Sequence, residues 1–127
     1  MKRIYTNASF KGTYGFSIVF GAHAAIGLGV ATSDGKGNFN GVQTLNLGGK
    51  MIPHTFSGAY SINPDGTGSA AVTFMIPDGS MQRGNFYYVV LEAKETATGK
   101  LATELQGFAV EPGFQGTLGL SHFSRIP

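Results

Sequence analysis

The chain has no cysteine and no tryptophan. Without cysteine there is no disulfide, no thiolate nucleophile and no thiolate-bound metal. Charge is scarce as well. Asp, Glu, Lys and Arg make up 13% of the 127 residues, and the formal net charge of +2 comes from basic residues scattered between Lys2 and Arg125. Nucleic-acid surfaces cluster Lys and Arg to neutralise several phosphates at once, so no nucleic-acid partner is expected. No stretch reaches the roughly 20 apolar residues of a spanning helix, so no membrane span is expected. The opening MKRIYTNASF lacks the apolar run of about 7 to 15 residues that a signal peptide needs. A cytoplasmic location is the first expectation, which the lack of cysteine fits. The alternative is a secreted protein whose leader is missing from this sequence.

What the chain does have is glycine, twenty residues of it. Each costs about 1 kcal/mol relative to alanine in a helix interior, which argues against long helices. Turn signals recur along the chain, among them Asp34-Gly35-Lys36-Gly37, Gly48-Gly49-Lys50, Asn63-Pro64-Asp65-Gly66 and Pro112-Gly113. They separate eight predicted strands near 12–20, 23–33, 38–47, 51–62, 68–76, 85–94, 100–110 and 115–124. Short connections allow neighbours in sequence to pair as antiparallel hairpins. Closing such a meander removes both exposed edges. The predicted fold is therefore all-β, one domain over 1–127, an eight-stranded antiparallel up-and-down barrel, with a two-sheet sandwich as the alternative.

Four segments share one frame: FKGTYGFS from Phe10, FNGVQTLN from Phe39, FSGAYSIN from Phe56 and FQGTLGLS from Phe114. Side chains alternate faces along a strand, so the Phe, the Gly and the later apolar residue of each repeat lie on one side. That side is taken as the inner face, where a glycine lets the strand bend and leaves room for a neighbouring ring. Polar residues intruding on this parity are the candidate site. Tyr14, Gln43 and Tyr60 fall on it directly. Counting back from Phe56 adds His54, and counting forward from Leu120 adds His122. Buried polar groups without partners cost roughly 1–3 kcal/mol each, so five in one interior must pair, hold water or meet a ligand.

Other chemistry is weakly represented. Glu92 sits in a strand that is apolar on both faces. It turns inward if Phe86, Tyr88 and Val90 do, and the surface is the preferred placement because carboxylates are rarely buried alone. The doubly apolar strand also suggests a possible homo-oligomer. The three histidines show no close metal-ligand spacing, and no metal site is assigned. The Gly-x-Gly pieces sit in strands or hairpin turns and do not precede a helix, so they are not phosphate cradles. The Asp34 and Asp65 loops lack the acidic set of a calcium site and read as hairpin turns.

The residues Phe10-Lys11-Gly12-Thr13-Tyr14, with Arg125 just after the last strand, resemble the mark of calycin barrels (lipocalins, fatty-acid-binding proteins, avidins). There a Gly-x-Trp on the first strand packs under a basic residue from the last, and Tyr14 stands here at the Trp position. The Gly-rich meander is also similar to allene oxide cyclase-like barrels, which include small cyclases and dirigent-type proteins. The expectation drawn from pocket and resemblance together is a barrel that holds a small, largely apolar organic molecule and promotes its isomerisation or cyclisation without a cofactor. Tyr14, Gln43 and Tyr60 would orient a carbonyl or hydroxyl, and His54 or His122 would exchange a proton. The alternatives are a non-catalytic carrier and a structural or interaction barrel with a filled core.

Overall fold

The computed structural model describes residues 4–20, 25–111 and 119–127. Eight strands follow in order: β1 (Lys11–Phe20), β2 (Ala25–Asp34), β3 (Asn38–Leu47), β4 (Lys50–Ile62), β5 (Thr67–Met75), β6 (Met81–Thr96), β7 (Gly99–Ala109) and β8 (Gly119–Arg125). Each pairs antiparallel with its neighbour in sequence, and β8 pairs back onto β1, closing the barrel. Among the described residues no helix is long and apolar enough to cross a membrane.

The hairpins are set by their own turn residues. Asp34 accepts from the backbone N–H groups of Lys36 (2.7 Å) and Asn38 (3.1 Å), and Asp65 accepts from Thr67 N–H (3.0 Å). These hydrogen bonds hold both carboxyl groups below their ordinary pKa, so the carboxylates are committed to the turns.

Alternation fills the interior with rings. Phe16, Phe56, Phe86 and Phe123 point inward and are buried, and Phe16 stacks on Phe123 with centroids 4.8 Å apart. Inner glycines make room for them. A Cβ on Gly29 would sit 2.6 Å from the Phe16 ring and 2.4 Å from the Val42 carbonyl oxygen, far inside van der Waals contact.

The two ends differ. The end at the start of β1 is sealed by the N-terminal segment. Tyr5 N–H donates to the Pro64 carbonyl (3.0 Å), Asn7 Oδ1 accepts from Ile62 N–H (2.9 Å), and a short 3-10 turn over Asn7–Ser9 leads into Phe10. The Phe10 ring lies 4.9 Å from Tyr60 and 4.8 Å from Tyr14. The opposite end, where β3 finishes and β4 begins, is open among the described residues and forms the mouth.

One expectation needs correction, and one open placement is resolved. β8 turns Gly119, Ser121 and Phe123 inward, so Leu120 (43% exposed) and His122 face out. The count that put His122 inside ran forward from Leu120, whose face was taken from the repeat beginning at Phe114; Phe114 and the predicted strand start at 115 lie outside the described residues. The face is decided by Phe123, whose stacking on Phe16 buries more apolar surface than Leu120 would. For Glu92, Phe86 and Val90 are buried and Tyr88 lines the interior, yet Glu92 is exposed, as its preferred surface placement had it. Register shifts at Val90/Glu92 and Glu92/Ala93 break the simple alternation.

Candidate functional site

Inside the barrel two hollows meet at a constriction formed by Ile18, Gln43, Phe74 and Phe86. The inner one is almost wholly apolar and holds about 50 Å³, space for a few water molecules and no more. The outer one opens at the mouth and measures about 380 Å³, the size range of small-molecule sites. Apolar residues such as Leu45, Ile52 and Ile76 line much of it, and its polar members are Gln43, His54, Ser80 and Gln82. Arg83 and Glu111 bring charge to its edge, where Glu111 accepts from Asn85 N–H.

Gln43 on β3 and His54 on β4 are register partners, and their inward parity places both at the mouth. Both are buried, at 6% and 7% exposure. His54 sets its ring edge-on to Phe74 at 5.6 Å. Its Nδ1 has no hydrogen-bond partner, and among the described residues the Gln43 amide makes no side-chain hydrogen bond either. Burial lowers the His54 pKa, with a backbone hydrogen bond at Ile52 acting the other way. The imidazole is thus neutral at neutral pH, able to accept or relay one proton.

Tyr14 and Tyr60 also face inward, but at the sealed end, and both hydroxyls are engaged. Tyr14 donates to the Ala102 carbonyl at 2.6 Å. Burial pushes its pKa up to about 12, although Arg125 beside it pulls the other way. The Tyr60 hydroxyl is 2.8 Å from the carbonyl oxygens of both Asn7 and Phe10. Ser33 Oγ donates to Phe10 O at 2.6 Å and lies 3.0 Å from the same hydroxyl. Tyr60 fastens the plug to the wall, and Tyr14 ties β1 to β7 at the sealed end. Tyr60, alone of the pair, also touches the inner hollow.

His122 stands on the outer surface, its Nε2 3.0 Å from Glu104 Oε1. Glu104 shares a hydrogen bond with Glu92, which raises the pKa of Glu92 and lowers that of Glu104. His54 and His122 are on opposite faces of the wall and cannot share a metal ion. Among the described residues no group of three His, Cys, Asp or Glu is arranged to hold one.

One residue whose face the sequence reading left open also belongs to the interior. Tyr88 on β6 lies between Gly68 and Gly107 in register, and a Cβ on Gly107 would meet its ring at 2.2 Å. Tyr88 lines the inner hollow, and its hydroxyl has no partner among the described residues. Burial raises its pKa strongly, so it is a fixed O–H donor. The two flanking glycines lie far from it in sequence, and only the register brings them together.

The arrangement is a one-ended cup: an apolar wall, an amide and a neutral imidazole at the mouth, and a phenol deeper down. No family model, curated protein or solved structure matches this chain, so the reading of the cup rests on its own geometry.

Proposed function

We propose that the open mouth binds a small, largely apolar organic molecule and promotes its isomerisation or cyclisation without a cofactor. The observation that carries this is the buried His54 Nδ1, which has no hydrogen-bond partner, beside Gln43 at the mouth of a hollow of about 380 Å³. Gln43 orients a carbonyl or hydroxyl of the ligand, and neutral His54 exchanges a proton. Holding a flexible molecule in a reactive geometry supplies part of the barrier lowering. Tyr88, at the base, is a second donor for an elongated ligand. The resemblance to calycin barrels is supported by Arg125, whose guanidinium lies over Gly12 and donates to the Lys11 carbonyl at 3.4 Å.

Two other readings each have an observation in their favour. The predominance of apolar groups along the wall favours a carrier without catalysis. The small inner hollow favours a barrel whose lower half is structural filling.

The test is titration with an apolar fluorescent dye, for which a chain without Trp gives little background. The wild type is expected to bind at the mouth, with affinity reduced several-fold in Gln43→Leu and His54→Phe. Equal affinity in both variants removes these residues from the site, and no binding at all leaves the filled-barrel reading. A screen of small isomerisable substrates with His54→Gln then separates enzyme from carrier.

A further inference from the structure

Strand β2 carries its apolar side chains on the wrong face for a barrel core. Gly27 and Gly29 point inward, where Ile18, Leu45 and the Phe16 ring already fill the space. Ile26, Leu28 and Val30 point outward and are 55%, 66% and 38% exposed. The core does not use these three residues.

They are not isolated. In register across five strands, the outward residues Tyr87, Phe108, Leu120, Val19 and Ile26 form one unbroken row, each at least 38% exposed. Val42, 55% exposed, extends the patch beside Val30. The exposed surface of these eight residues, backbone included, is on the order of 700 Å², above the few hundred Å² usual on monomers and close to one partner's share of a standard interface. Along the middle of β4 and β5 the wall is different in kind, with small or polar residues outward at Thr55, Ser57, Ala59, Ser61, Ser69, Ala71 and Thr73, and the exposed Met51 and Met75 stand only at the mouth end.

We infer that this half of the outer wall is a self-association face, covered by a second copy of this chain. Leu28 forms a ridge between two lower neighbours in register, Ser17 on β1 and Thr44 on β3. A ridge flanked by troughs complements its own copy across a two-fold axis. The patch holds no Lys or Arg, which an anionic lipid surface would need. Its imidazole and carboxyl groups belong to His122, in register with Ser17, and Glu104, and the two pair with each other. This inference is independent of what the mouth binds.

The experiment is light scattering or sedimentation of the full chain across micromolar concentrations. The expected result is a mass at a multiple of 13.3 kDa, falling to the monomer in Leu28→Lys and in the milder Leu28→Ser/Val19→Ser pair. Far-UV circular dichroism should be unchanged, and Ser57→Lys on the polar half should keep the wild-type mass. A monomeric wild type overturns the inference, whether or not it pellets with lipid vesicles. So does an oligomer that survives both Leu28 variants while they remain folded.

Discussion

The Arg125 guanidinium occupies the space that a side chain on Gly12 would need. A Cβ there would lie 2.9 Å from Arg125 Nη2, and Gly12 holds φ +108°. The last strand is thus latched over the first at the closure of the barrel. Gly12→Ala meets both backbone strain and the cation, and is expected to cost about 1–3 kcal/mol. A thermal melt checks this: the midpoint should drop by several degrees, and an unchanged midpoint would show that the latch carries no load.

Tyr60 binds the plug to the wall, so its hydroxyl acts in stability more than in recognition. Tyr60→Phe leaves the Asn7 and Phe10 carbonyls without that donor and is expected to lower unfolding free energy by about 1–2 kcal/mol. Urea denaturation measures it. Dye affinity at the mouth should stay within twofold of wild type.

His54 has a folded-state pKa depressed by burial. At acid pH the unfolded chain takes up the proton before the folded one does. The His54 contribution is therefore complete above the unfolded value near 6.5 and is lost as pH falls below it through the lower folded value. The slope of stability against pH in this range should flatten in His54→Phe. A His54 ring that titrates by NMR at or above the free-histidine value would contradict the burial argument.

Glu92 and Glu104 share a hydrogen bond on the exposed surface. Glu104→Gln removes the carboxylate that keeps the proton on Glu92, so the Glu92 pKa should return toward the ordinary carboxylate range when followed by carbon-detected NMR. Because this cluster is on the outer face, dye binding at the mouth should not change.

Much of the barrel was legible in the sequence because two signals agree. Glycine-rich turns mark hairpin ends, and period-two alternation marks the inner face in β1, β3 and β4, where Tyr14, Gln43, His54 and Tyr60 all face in. Parity says nothing about depth along the axis, which depends on strand stagger and on where the N-terminal segment folds back. Hence two tyrosines at the sealed end looked equivalent to a glutamine and a histidine at the mouth. Parity also fails where apolar residues occupy both faces, as in β6, or where a glycine replaces the inner side chain. In Ile26-Gly27-Leu28-Gly29-Val30 the large residues suggest an inner face, yet rings from neighbouring strands fill that side. Tyr88 stayed undecided for a related reason, since its two glycine neighbours are chosen by the register alone.

The plug at one end imposes an order of events. A molecule seated in the barrel has a single doorway, so an incoming competitor must wait for it to depart. Exchange should then proceed at a rate that does not rise with competitor concentration, and elongated guests should turn over more slowly than short ones of equal affinity.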